Sequence, residues 1–110
     1  MNRYLLSTEA QTDIISIREY TNTRWGRTQT ELYTVQLRQR MQWLADNPNL
    51  GLRRDEVGAG YRSFTEGKHV IFYRAAGSNI EIIGIPHQRM DIERQLGGDA
   101  QPNLNDPAEQ

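Results

Sequence analysis

Apolar side chains in the first half of the chain recur every three or four residues, the spacing that places them on one face of an α-helix. The first predicted helix begins at Thr8, where Thr8 and Gln11 match a capping box, and it ends near Trp25-Gly26. Its inner face consists of Ala10, Ile14, Ile17 and Thr21. The short apolar stretch before it, residues 4–7, is predicted to be a strand.

The helical pattern then starts again and predicts a second, longer helix. Thr28 and Glu31 match another capping box, and Asn47-Pro48 ends the helix because the residue before a proline disfavours helical geometry. The inner face of this helix consists of Tyr33, Leu37, Met41 and Leu44. Two amphipathic helices joined by so short a turn predict an antiparallel helical hairpin.

After Pro48 the hydrophobic pattern changes to one typical of strands. Residues 49–60 are predicted to be a loop, and three runs rich in β-branched and aromatic residues follow it. These runs are residues 61–65, 69–75 and 79–85. Tight turns containing Gly67 and Gly77 connect them into an antiparallel β-meander. The predicted fold class is therefore α+β, with an N-terminal strand and a helical hairpin packed on the meander.

The last two strands, HVIFYRA and NIEIIGI, carry apolar residues on both faces and need cover on both sides. The helical hairpin covers one side, whereas the other side has only a short helix, predicted from Asp91 to Leu96 and capped by Gly97. We therefore expect some apolar sheet surface to remain for a partner. The core between the hairpin and the sheet is predicted to contain Ile14, Ile17, Leu37, Leu44, Phe72 and Ile82.

Composition divides the chain into one domain, residues 1–97, and a disordered acidic tail, residues 98–110. The tail has no aromatic residue, two prolines and a single leucine, so it has too little apolar surface to fold. It also holds three acidic residues and no basic one, which leaves 13 basic and 11 acidic groups in the domain. Twelve of those 13 bases are arginine, the side chain suited to bidentate contacts with carboxylates and phosphates.

Several classes of function are disfavoured by what the sequence lacks. The chain has no cysteine, which excludes disulfides, a thiolate zinc site and a cysteine nucleophile. Its N-terminus offers an apolar run of only two leucines, too short for a signal peptide or a membrane span, so we expect a cytoplasmic protein. The two histidines, His69 and His87, match no metal-binding spacing, and no metal site is predicted.

A further chemical possibility is RNA cleavage. It would use an acid, a base and phosphate-binding arginines gathered on the sheet. The candidate residues are Arg62, Glu66, His69, Tyr73, Arg74, His87 and Arg89. Strand alternation places His69 and Tyr73 on one face of their strand and Arg74 on the other, which separates the candidates. Structural roles are therefore favoured, with Tyr73 in the core and Arg89 paired with a nearby acid.

The order of several motifs resembles the ParE family of toxins from bacterial type II toxin–antitoxin modules, within the RelE/ParE superfamily. The similar stretch runs from residue 3 to about 96 and begins YLLSTEAQTDIISIREYTNTRWGRTQTELY, followed by GYRSF, HVIFYR and IPHQRMDIERQL. Its most specific pieces are Tyr20-Thr21 with Trp25-Gly26 at the end of the first helix, and PHQRMD after the last strand. The architecture that this resemblance implies agrees with the one predicted above.

The resemblance implies a non-enzymatic toxin that inhibits DNA gyrase by protein–protein binding and so causes growth arrest, in modules that include plasmid stabilisation systems. It further implies neutralisation by a ParD-type antitoxin, whose disordered C-terminal region folds over the toxin in a hetero-oligomer, and it implies no cofactor and no membrane. A partner of this kind needs apolar sheet surface and arginines. The residues predicted to bind the target or the antitoxin are Arg53, Arg54, Arg62, Arg74, His87, Arg89 and Arg94.

Two alternatives remain open at this point. One is a ribosome-dependent messenger-RNA endonuclease of the RelE branch, in which His87 and Arg62 would act on the RNA. A single lysine and the absence of any aromatic side chain after Tyr73 disfavour that function, because such nucleases are strongly basic and stack a base on an aromatic ring. The other alternative is a non-toxic module that binds its antitoxin only.

Overall fold

The computed structural model of this chain describes residues 2–91. Within that range, two helices pack on a five-stranded sheet. The elements are β1 (Tyr4–Leu6), α1 (Thr8–Trp25), α2 (Arg27–Asp46), β2 (Leu52–Arg53), β3 (Arg62–Glu66), β4 (His69–Ala76) and β5 (Asn79–Gly84). Residues 88–91 are also helical, which starts the C-terminal helix earlier than predicted. The rest of the stretch predicted to be helical, up to Leu96, lies outside the described residues, as do Arg94 and the predicted tail.

α1 begins at Thr8 as predicted but is capped by Ser7 rather than by Thr8, and α2 begins at Arg27, one residue before the predicted Thr28. At the start of α1, the Ser7 hydroxyl oxygen accepts a hydrogen bond from the Ala10 backbone N–H at 3.0 Å. The same hydroxyl donates to the carbonyl of Ile83 at 2.7 Å and so ties the helix to β5. Gly26, with a φ of 88°, reverses the chain, and α2 starts directly after it without a side-chain cap.

The sheet is mixed rather than a simple meander. Its strands lie in the order β1-β5-β4-β3-β2, and the predicted antiparallel meander of β3, β4 and β5 is confirmed. β1 runs parallel to β5, with Tyr4 opposite Ile80. β2 pairs with β3 inside the stretch that was predicted to be a loop. The sequence therefore predicts the meander and the strand β1, and the structure adds β2 and the parallel pairing of β1 with β5.

The core lies between the helical hairpin and one face of the sheet. Its buried members are Ala10, Ile17, Leu37, Met41, Leu44, Ala45, Ile71, Tyr73, Ile80, Ile82 and Ile85. Ile14 is partly buried against them, so five of the six predicted core residues lie where they were expected. Phe72 is also buried, but it alternates with Ile71 and Tyr73 and therefore lies on the opposite face of the sheet. The prediction for Phe72 is right about burial and wrong about the face.

The opposite face of the sheet is closed at its centre by Arg54. The Arg54 guanidinium lies 4.8 Å from the ring centroid of Phe72 and donates to the Asp91 carboxylate at 2.8 Å. This ion pair joins the C-terminal helix to the sheet. Among the large apolar residues described on this face, Leu5 and Leu52 are exposed. The apolar surface expected for a partner is thus confined to the edges of this face.

Candidate functional site

The residues predicted to bind the target or the antitoxin are separated in the structure. Arg53 is exposed at the edge of the sheet and donates to the Asp55 carboxylate at 2.8 Å. Arg74 lies on the sheet face opposite the helices, where its guanidinium is 3.0 Å from the Glu81 carboxylate. Both arginines are therefore accessible to a partner, although each already has an acidic neighbour. Arg94 lies outside the described residues.

Two other predicted arginines are held by the fold itself. Arg54 is buried, with a side chain only 7% exposed, and its guanidinium also donates to the Ser63 hydroxyl at 3.0 Å. Arg62 donates to the backbone carbonyl of Gly51 at 2.9 Å and so anchors the segment before β2. In this structure Arg54 is not part of the surface, and Arg62 is only partly exposed.

The structure brings His87 against His69, an association that spacing in the sequence does not reveal. Their ring centroids are 5.4 Å apart in an edge-to-face arrangement. The backbone N–H of Gln88 donates to the carbonyl of Lys68 at 2.8 Å, which pairs the segment after β5 with the β3–β4 turn. The Nδ1 atom of His87 accepts a hydrogen bond from the Arg89 backbone N–H at 3.0 Å. His87 therefore carries its ring proton on Nε2 when it is neutral.

Tyr33 is the residue of this site that the sequence assigned only to the core. Its hydroxyl oxygen lies 2.6 Å from Nδ1 of His69 and accepts a hydrogen bond from the Lys68 backbone N–H at 3.2 Å. Gly67 makes this contact possible, since a Cβ at that position would lie 2.6 Å from the Tyr33 ring. Tyr33 thus links α2 to the turn that positions the histidine pair.

The surroundings of His69 favour its neutral form. Burial lowers the pKa of His69 from its ordinary value of 6.5 to about 4, and the neighbouring His87 acts in the same direction. Burial also raises the pKa of Tyr33, so its hydroxyl keeps its proton at neutral pH. The Tyr33 O–H donates to the Glu66 carbonyl at 3.1 Å, and the tautomer of His69 sets the direction of the hydrogen bond between the Tyr33 oxygen and Nδ1 of His69. A histidine held neutral in this way is unsuited to act as a general acid at neutral pH.

The free energy of unfolding should depend on pH through His69. Because its folded-state pKa is below the unfolded value, the unfolded chain binds more protons, and stability present above pH 6.5 is lost as pH falls towards about 4. We expect a loss of about 1–2 kcal/mol over this window, since partial solvent exposure reduces the full linkage value. Urea denaturation at several pH values measures it.

The matched control for this pH dependence is His69→Asn, which keeps a hydrogen-bonding side chain beside the Tyr33 hydroxyl but does not titrate. The wild-type and variant curves should converge near pH 4 and separate above pH 6.5. Parallel curves across the whole range would show that His69 does not contribute to the pH dependence.

An open groove runs between α1 and the segment after β5, and we call it the histidine groove. One end has a volume of about 910 Å³ and is lined by α1 residues and by residues 85–90. The other end has a volume of about 490 Å³ and lies beside the end of α1 and the β3–β4 turn. Both ends are lined by Tyr20, Lys68, His69 and His87, so they meet at the histidine pair.

Large apolar side chains stand exposed along this groove. Tyr20 is 58% exposed, Trp25 at the end of α1 is 64% exposed, and Met90 at the opposite end is 54% exposed. Exposed aromatic side chains of this size beside a groove are typical of protein–protein contact sites. The groove was not predicted from the sequence, although both of its walls contain the motifs that carry the family resemblance, Tyr20-Thr21 with Trp25-Gly26 and PHQRMD.

Metal chemistry finds no support in the part of the chain that the structure describes. No three side chains of histidine, cysteine, aspartate or glutamate among residues 2–91 are grouped so that they could hold a metal ion. The helices of the same residues include none that is both long and apolar enough to span a membrane. The geometry provides an open groove that is lined by exposed aromatic side chains and by hydrogen-bonding groups held in place by the fold.

The fold and the groove define a small α+β domain in which a helical hairpin and a mixed sheet enclose one core. Comparison with known proteins identifies the family. Residues 4–92 match the family described as the ParE toxin of the type II toxin–antitoxin system parDE. This chain therefore belongs to the ParE toxin family of type II toxin–antitoxin systems.

Individual relatives agree with this assignment. The chain is 41% identical over 96 residues to Toxin ParE1 of Mycobacterium tuberculosis strain H37Rv, covering 86% of this chain and 98% of the relative. It is 37% identical over 97 residues to Toxin ParE1 of Caulobacter vibrioides, covering 88% and 100%. A chain from the chromosomal ParDE system of P. aeruginosa has the same fold, with a TM-score of 0.67 at 19% identity over 79% of this chain and 95% of that one.

Proposed function

We propose that this toxin acts by binding and inhibiting DNA gyrase, and that a ParD-type antitoxin neutralises it in a hetero-oligomer. The observation that carries the proposal is the family match, which spans residues 4–92 and therefore the whole described domain. A protein that acts on gyrase works in the cytoplasm. In this proposal, no residue is catalytic, and the toxin arrests growth by occupying its target.

The placement of the predicted site residues supports binding rather than catalysis. Exposed members such as Arg53, Arg74 and Arg89 are spread over the surface, where each is free to contact gyrase or the antitoxin. A catalytic site would instead gather its acid, base and cation within hydrogen-bond reach of one reacting group. We therefore propose these three arginines and His87 as contact residues.

The nuclease alternative requires His87 and Arg62 to act on one phosphate. His87 bridges to His69 at one end of β4, whereas Arg62 lies opposite Tyr73 at the other. Four residues along a strand span roughly 13 Å, too far for both side chains to reach the same group without rearrangement. The Arg62 guanidinium, moreover, donates to a backbone carbonyl, which occupies part of its hydrogen-bonding capacity.

The deciding experiment measures gyrase supercoiling with purified toxin and no ribosome or RNA present. Wild-type toxin should inhibit supercoiling or trap gyrase on cleaved DNA. His87→Ala should weaken inhibition by about 5- to 30-fold, because one interface side chain is worth about 1–2 kcal/mol. Removing a general acid or base would instead reduce a rate ~10²–10⁴-fold.

The nuclease alternative gives the opposite pattern in the same preparation. Gyrase would remain fully active, messenger RNA would be cut only on ribosomes, and His87→Ala would abolish the cutting. That result would overturn the proposed function. Arg38→Ala serves as the control, because Arg38 is exposed on α2 and does not line the histidine groove.

A further inference from the structure

We propose that one end of the histidine groove, bounded by Arg24, Trp25 and Lys68, binds an acidic segment of the antitoxin that carries a bulky apolar side chain. We call this part the basic end. The proposal rests on neutralisation by an antitoxin and specifies the surface that the antitoxin covers. That surface differs from the sheet face expected from the sequence, whose centre is closed by Arg54 and Asp91.

The shape of the basic end suits an inserted apolar side chain. It has a volume of about 490 Å³, large enough to take one aromatic or long aliphatic group. Trp25 and Tyr20 form exposed walls, and Tyr33 lines the site as well. Tryptophan, tyrosine and arginine are the residue types that most often dominate binding energy at protein interfaces, and all three are present here.

The charges of the basic end favour a carboxylate as the second feature of the ligand. Among residues 2–91, its charged lining groups are Arg24 and Lys68, and no aspartate or glutamate of that range lines it. Neither cation forms a salt bridge within residues 2–91. By contrast, the six arginine–acid salt bridges in that range, including those of Arg18 and Arg40, already pair the arginine with an acidic side chain. The Arg24 guanidinium lies 5.6 Å from the Tyr20 ring centroid, so the cation and the aromatic wall are adjacent. A carboxylate next to an apolar anchor complements both groups.

The other end of the groove favours a peptide over a nucleic acid. Glu9 and Asp13 line it, and the Asp13 carboxylate is fixed there by accepting the Ile85 backbone N–H at 2.7 Å. A phosphate backbone passing along the groove would meet these carboxylates and be repelled. A peptide can place its acidic residue at the basic end and continue past Glu9 and Asp13 with uncharged or basic side chains. Met90 at the rim favours an uncharged side chain there.

The experiment is calorimetric titration of full-length toxin with its co-encoded antitoxin. Trp25→Ala should raise the Kd at least tenfold, because it removes an exposed aromatic anchor. The double variant Arg24→Glu, Lys68→Glu should raise it about 100-fold at low salt, and the effect should shrink as salt increases. The five side chains changed here and in the controls are exposed in the structure, and thermal unfolding checks that each variant folds.

The matched controls carry the same chemical changes away from the groove. Arg38→Glu reverses a charge on α2, and Leu32→Ala removes an apolar side chain that is 55% exposed. Both should leave the Kd within threefold of wild type. Wild-type affinity in Trp25→Ala and in the double variant would overturn the proposal while leaving neutralisation by the antitoxin intact.

Other occupants give distinguishable results. Groove variants that keep antitoxin affinity but lose gyrase inhibition would assign the basic end to gyrase and overturn the proposal. Variants that keep antitoxin affinity but lose self-association would assign it to a second copy of this chain, with the same consequence. If wild-type toxin does not bind the antitoxin at all, the proposed neutralisation fails, and this inference fails with it.

Discussion

Replacing Arg54 with alanine should lower the free energy of unfolding by about 3–5 kcal/mol, the cost of removing one partner from a buried ion pair. The Asp91 side chain, only 11% exposed in the native structure, would lose the guanidinium 2.8 Å away. The ring of Phe72 would at the same time lose the group that covers it. Urea denaturation of the full-length chain, monitored by circular dichroism, measures the change.

A matched control is provided by the preceding residue in the chain. Arg53 also pairs with an aspartate at 2.8 Å, but its side chain is 73% exposed. Arg53→Ala should therefore change stability by less than about 1 kcal/mol. Equal costs for the two variants would contradict the burial of Arg54 and its role in joining the C-terminal helix to the sheet.

The second large effect is expected in the core at Leu37. Leu37→Ala should cost about 2–5 kcal/mol through lost apolar burial and the cavity left between α2 and the sheet. The side chain is 2% exposed and belongs to the main core cluster. The change is again measured by urea denaturation, in which an unchanged slope would show that the unfolding reaction itself is the same.

Leu32 gives the internal comparison on the same helix. It lies on the outer side of α2, where Leu32→Ala removes the same atoms from an exposed position and should change stability by less than about 0.5 kcal/mol. A cost below about 1 kcal/mol for Leu37→Ala would place that residue at the surface. The predicted phase of α2 would then be wrong.

The helices, the meander and most of the core could be predicted because their signals are local. Periodicity fixes which face of a helix is buried, as at Leu37, and glycines at the turns fix where the strands end. The two missed features of the sheet depend on distant partners. β2 has two residues and no periodicity, and the parallel pairing of β1 depends on a strand more than 70 residues away.

The candidate site was harder to predict for the same reason. No local sequence pattern distinguishes Arg53 from Arg54. The fold exposes Arg53 to solvent and packs Arg54 against Phe72. The contact between Tyr33 and His69 joins two residues 36 positions apart in the chain, and no local pattern marks it. Sequence resemblance nevertheless identified the family, because the motifs around Tyr20 and His87 are contiguous stretches of sequence that can be recognised without the three-dimensional structure.

The pairing of β1 with β5 determines the stage of its own synthesis at which the toxin can fold. Tyr4 is made long before its partner Ile80, which lies near the end of the family match at residues 4–92. Until β5 is complete, the helical hairpin has no finished sheet to pack on, and non-local pairing of this kind slows folding. The second wall of the histidine groove, residues 85–90, is made later still. We therefore expect a chain that ends before β5 to lack both the finished sheet and this wall of the groove.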